Sequence, residues 1–163
     1  MTNIMRICIV KLLFAASNFV IPFSALFVSK RYDFDASELA TMVTILAVSY
    51  LAGNLAGGFL GDKIQSRSLL LLFSFFSVLA MMIGSSGFPA TVTFSAISVF
   101  SIMAGAANPV LSNYLSNSVN ESNRESAFGN LYLANNVGIA IVFIVGGFLL
   151  GRGPQYPLYF LQC

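Results

Sequence analysis

The chain of 163 residues has no histidine and no tryptophan, and only two cysteines, Cys8 and Cys163, at opposite ends. Without histidine there is no Ser-His or Cys-His nucleophile pair and no imidazole metal ligand. Two cysteines so far apart in sequence give no metal-ligand spacing. No metal site and no cofactor is therefore expected. Charge is also scarce: Asp, Glu, Lys and Arg together make up 9% of the chain, and the net charge is +2. Soluble domains carry about 25% charged residues. So small a positive balance gives no reason to expect a nucleic-acid partner. What remains is apolar, at 57% hydrophobic residues with a mean hydropathy of +0.84. This is the composition of an all-α integral membrane protein whose first partner is the lipid bilayer.

A helix needs about 20 apolar residues to cross a bilayer core. Five stretches qualify, at about 7–29, 39–61, 68–86, 92–115 and 123–150, and a sixth apolar stretch opens at 157 and is incomplete at Cys163. The first run is longer than the apolar region of a secretory signal, so a cleaved leader is not expected. Asp35 with Glu38 reads as a capping pair opening the second helix, and Ser122 with Glu125 as a capping box opening the fifth. With the N-terminus in the cytoplasm, Arg6, Lys11, Lys63, Arg67 and Arg124 lie inside and Lys30, Arg31 and Arg152 outside. That bias favours a multi-pass protein with its N-terminus inside; the plasma (cytoplasmic) membrane is the expected location. Asn120 heads a glycosylation sequon, which matters only if its loop faces a lumen.

The tetrapeptide GGFL occurs at 57–60 and again at 146–149, each time closing the second helix of a three-helix group. Three helices reverse direction, so the copies end on opposite sides. An inverted 3+3 repeat has this pattern. Charge is concentrated after the first copy, where Asp62, Lys63 and Arg67 fall within six residues. Lys63 and Arg67 fit a topology anchor. Asp62 does not, because an acid at a helix C-terminus opposes the helix dipole. Arg67 and Arg124 are its candidate partners.

The hairpin resembles the signature of the major facilitator superfamily between its second and third helices. Gly58 is followed by three residues, then Asp62, Lys63 and, after three more, Arg67; the one departure is Gln65, where the family has Gly. The resemblance implies the N-terminal half of a twelve-helix fold, a secondary transporter working by alternating access on a small-molecule substrate. It implies that Gly58, Asp62, Lys63, Arg67 and Arg124 form a latch that closes the cytoplasmic side and releases during transport. It also implies that the C-terminal half is missing from this chain and that the second helix packs against it. Two further family patterns are incomplete. Ser101 stands where proton-coupled drug antiporters carry Arg in helix 4. Val142-Phe143 replaces Gly-Pro in the fifth-helix series of Gly129, Gly138, Gly146 and Gly147. These departures speak against proton-coupled drug antiport and are compatible with export.

Polar and small residues inside membrane helices face other helices or a cavity. Helix 1 aligns Lys11, Ala15, Asn18, Pro22, Ala25 and Ser29. Helix 4 aligns Ser98, Ser101, Gly105, Asn108 and Ser112 beside Pro109. Paired, proline-interrupted helices at matching places in two repeats point to a midplane site. The substrate-cavity candidates are Asn18, Pro22, Tyr50, Asn54, Ser101, Asn108 and Asn135; packing between helices explains the same residues about equally well. Gly53, Gly57, Gly61, Gly138, Gly146 and Gly147 are read as helix-packing positions. Lys11, about one turn into its helix, is expected to snorkel to the interface. An intramembrane protease fits poorly, because only one acid lies near a helix end at the hairpin. The other reading is a truncated, non-transporting remnant or a membrane subunit that binds a partner.

Overall fold

The computed structural model describes residues 3–17 and 20–150. All regular structure among the described residues is helical. The elements are α1 (Asn3–Ser17), α2 (Val20–Tyr32), α3 (Ala36–Gly61), α4 (Ser66–Ser85), α5 (Ala90–Ser118) and α6 (Arg124–Leu150), with a 3-10 turn at Glu121–Asn123. The expected first helix corresponds to α1 and α2. Asn18 and the sixth apolar stretch from 157 lie outside the described residues. Four helices, α3 to α6, are long and apolar enough to cross a membrane, α6 together with its 3-10 lead-in. Helices reach two to three residues beyond several apolar runs, because caps and turns end a helix whereas hydropathy marks only its lipid-facing part.

Asp35 caps α3 as expected. Its Oδ1 accepts from the Ser37 and Glu38 amides, both at 2.8 Å, while Glu38 Oε2 accepts from the Asp35 amide at 2.9 Å. The Glu38 amide, then the Ser37 contacts, hold the Asp35 carboxyl below its ordinary range. The second expected box does not form. Asn123 N donates instead to Asn120 O at 3.0 Å, and a 3-10 turn leads into α6. A 3-10 turn satisfies the first amides from the backbone, leaving Ser122 no donor to cap.

α5 is the hub. It has twelve buried residues against four on α3, and it packs on α3 and on α4, while α1 packs on α6. Lipid tails are as apolar as leucine, so close backbone approach and polar contacts, more than hydrophobicity, hold such helices together. Glycine supplies the approach in both pairings. A Cβ on Gly53 would overlap the Ile102 carbonyl, one on Gly57 would lie 2.6 Å from Ala106 Cα, and one on Gly138 would lie 2.7 Å from Ala15 Cβ. The second helix of each three-helix group therefore meets the first helix of the other group, as two groups exchanged by a pseudo-two-fold axis would. This corrects the sequence expectation that Gly53, Gly57 and Gly61 face an absent half. Their partner is α5 of the same chain, because the bare Gly face admits its carbonyls. Leu55, Phe59, Leu71, Phe75 and Ile144 point outward and are each more than 60% exposed, as a lipid-facing surface requires.

At the Gly87 end of the bundle, Tyr32 OH donates to Phe88 O at 2.7 Å and shares a hydrogen bond of 2.9 Å with Thr93 Oγ1. This ties the end of α2 to the α4–α5 turn, where Gly87 adopts a φ of +84°.

A candidate functional site between three helices

Ile7, Lys11, Phe14 and Ala15 share one face of α1 at helical spacing, and Ile7 and Ala15 on it are buried. Lys11 therefore points into the bundle, and its Nζ donates to Asn108 Oδ1 on α5 at 2.5 Å. The Asn108 amide turns its other end to α3, where Nδ2 donates to Tyr50 OH. One side-chain amide thus joins α1, α5 and α3. The expectation that Lys11 snorkels is overturned: an oriented amide oxygen inside the bundle solvates the ammonium in place of water.

The cluster is deep. Lys11 lies eight residues after Asn3, Asn108 ten before Ser118 and Tyr50 eleven before Gly61. At 1.5 Å per residue these are depths of about 12, 15 and 16 Å from the end that carries the 62–67 hairpin. α3 and α5, at 26 and 29 residues, are longer than a bilayer core of about 30 Å, so part of each depth lies outside the core and the cluster sits in its hairpin-side half. A charged side chain costs about 3 kcal/mol at the core's centre on insertion-based scales, and less toward its edge.

Among the other cavity candidates, Asn54 Nδ2 bonds Tyr50 O of its own helix at 3.0 Å. Ser101 is fully buried in α5, and its Oγ has no hydrogen-bond partner. Asn135 is half-buried on α6, apart from the Lys11 cluster. Pro22 falls in α2, with its side chain outside the described residues. The structure therefore brings Tyr50 and Asn108 together, adds Lys11, and gives Ser101 and Asn54 no hydrogen bond to the cluster's side chains. A separate groove of about 400 Å³ opens between α1 and α4, lined by Val10, Leu13, Ser74, Ser77 and Val78 over Phe100. It is mainly apolar, and Lys11 does not line it.

At the hairpin, Asp62 caps the end of α3 and its Oδ1 accepts from Asn113 Nδ2 of α5 at 3.4 Å. Lys63 Nζ lies 3.9 Å from the centre of the Phe59 ring. Among the described residues no ion pair joins Asp62 to Lys63, Arg67 or Arg124, all of which are exposed. The pairing expected from sequence is thus replaced by an amide, which reaches Asp62 because a Cβ on Gly61 would lie only 3.1 Å from Asn113 Nδ2. Asn113 escaped the sequence reading; its signal was a polar residue placed on α5 level with the end of α3. Gly58 has open space where a Cβ would be, Gly146 is buried, and Gly147 is exposed with open space beside it.

Apolar spanning helices, glycine-mediated contacts and a polar cluster inside the bundle define a polytopic helical membrane protein. The chain belongs to the Major Facilitator Superfamily, whose pattern it matches over residues 7–162. It is similar to the voltage-gated purine nucleotide uniporter SLC17A9 of Rattus norvegicus, at 28% identity over 146 residues, covering 85% of this chain and 32% of the relative. The Mus musculus protein of the same name matches with the same identity and coverage. The chain thus spans about a third of the length of the curated relatives it matches.

Proposed function

We propose that this chain forms one helical bundle of a secondary transporter that moves a small molecule across the membrane by alternating access. Membership of the superfamily carries this reading, and the polar cluster joining α1, α3 and α5 inside the bundle supports it. Alternating access needs two bundles rocking about a shared midplane site. The described helices supply one, so a second bundle is the expected partner. The hairpin of Gly58, Asp62, Lys63 and Arg67, with Arg124 at the start of α6, is proposed as the gate at the cytoplasmic end. Asp62 holds to α5 through Asn113 in this structure, which leaves Lys63 and Arg67 available to a second bundle. The Lys and Arg distribution favours a cytoplasmic N-terminus, and the plasma membrane is the proposed location. Purine nucleotides, named for the rat and mouse relatives, are the first cargo to assay.

The test is uptake of labelled ATP and of a broader solute panel into vesicles holding the full reading frame that contains this chain. Saturable, competed uptake of a panel member is the expected result. Leakage that rises linearly with concentration for every solute would sink the proposal.

A further inference from the structure

The Lys11 cluster has one chemical peculiarity. All six acids of the chain, Asp33, Asp35, Glu38, Asp62, Glu121 and Glu125, lie at helix ends or in turns. None is at the depth of Lys11. An ammonium inside the bundle with only a neutral amide beside it lacks a counter-charge. The donors are also unbalanced. Lys11 has three hydrogens and gives one to Asn108. Tyr50 uses its oxygen to accept from Asn108, which leaves its own hydrogen to donate. Asn108 holds both groups in place, one at each end of its amide. Two hydrogens of the ammonium and the hydroxyl hydrogen of Tyr50 thus have no acceptor among the described side chains.

We propose that Lys11 and Tyr50, held in place by Asn108, form an anion-binding site that receives a carboxylate or phosphate group of the cargo; the identification of the ligand as cargo rests on the transport reading above. Charge-assisted hydrogen bonds to an oxyanion are stronger than neutral ones, and low surrounding polarity strengthens them further. Tyr50 adds a hydroxyl donor, while the ammonium supplies charge. Cargo that carries its negative charge into this site replaces the counter-charge that the chain does not supply. The cluster thus selects by charge, and an uncharged analogue of the same shape is excluded.

The test follows thermal unfolding of the purified protein in phosphatidylcholine nanodiscs with ATP, inorganic phosphate, succinate or adenosine. At least one of the three anions should raise the midpoint saturably in wild type and in Lys11→Arg, and adenosine should not. In Lys11→Gln the concentration needed should rise at least about tenfold, as loss of a charge-assisted contact implies. No shift with any of the three anions, or an equal shift in wild type and Lys11→Gln, would overturn the site. Asn108→Asp serves as a second variant, because it sets a carboxylate beside the ammonium. It should raise the anion-free midpoint and abolish the response to anions; a midpoint at or below wild type would remove the uncompensated charge on which the site rests. Replacing phosphatidylcholine by phosphatidylglycerol separates the sources. Lys11-dependent stabilisation by that lipid, with none from the three soluble anions, would make the occupant a lipid phosphate and overturn the cargo assignment. Lys11-dependent anion binding without uptake would keep the site and refute transport, whereas uptake of an uncharged solute unchanged in Lys11→Gln would keep transport and refute the site.

Discussion

Gly53 and Ile102 meet so closely that the Ile102 carbonyl occupies the place a Cβ on Gly53 would need. Four residues on, Gly57 repeats the arrangement against Ala106, and from the other side Gly105 sits against the Tyr50 carbonyl. The α3–α5 seam is thus built on backbone contact, and it carries Tyr50 and Asn108 to each other.

Gly53→Ala or Gly57→Ala should therefore part the helices. Overpacking costs typically about 1–3 kcal/mol, and here the obstacle is backbone that cannot rotate away. Gly58→Ala, with open space beside it, should lie within about 0.5 kcal/mol of wild type. Thermal unfolding in detergent checks both. Equal midpoints for Gly53→Ala and Gly58→Ala would mean that the seam is not where the structure has it.

Tyr32→Phe removes the hydroxyl that bridges Phe88 and Thr93. Loss of one such bond costs about 1 kcal/mol; the fully buried Thr93 Oγ1 keeps Phe88 O as an acceptor at 3.4 Å. The same unfolding assay should show a lower midpoint, and faster amide exchange should appear in the turn around Gly87. Unchanged exchange there would show that α2 is held by packing alone.

Much of this architecture was legible in the sequence. Lipid imposes a length on every spanning helix, so the hydropathy runs placed α3 to α6 within a few residues. The Asp35–Glu38 box was legible because both partners are local. The partner of the Gly row was not, since a smooth face states that something packs closely but not what. Lys11 was misread for a similar reason. Its position near the chain start suggested the interface, whereas its destination depends on the Asn108 amide 97 residues away. Asp62 shows the same limit, because its acceptor role was clear and its donor, Asn113, lay on a helix that only the fold brings near.

Orientation is open to a direct check. Ser66 and Ser86 sit at opposite ends of α4. In a background with Cys8 and Cys163 replaced by Ser, Ser66→Cys should react with an impermeant thiol reagent only after the cells are opened, and Ser86→Cys in intact cells. The reverse labelling, or a glycan on Asn120 in a glycosylating host, would invert the topology.

Asp62→Asn keeps the shape of the α3 terminus and removes its charge. On helix-dipole grounds alone it should be neutral or slightly stabilising, by a few tenths of a kcal/mol. Abundance should therefore hold while uptake by the full reading frame falls at least about tenfold, a barrier change of roughly 1.4 kcal/mol. Normal uptake by Asp62→Asn would reduce the hairpin charges to a topology anchor.

Alternating access itself is tested most directly at Gly58, which has room for a side chain and lies one turn before Asp62. The measurement is the rate at which Gly58→Cys reacts with an impermeant reagent from the hairpin side, with and without transported cargo. It is made in the full reading frame with its other cysteines, Cys8 and Cys163 among them, replaced by Ser and uptake retained. The account predicts a change of severalfold on adding cargo, with Ser66→Cys in the open hairpin unaffected. Equal rates at Gly58→Cys with and without cargo would contradict it.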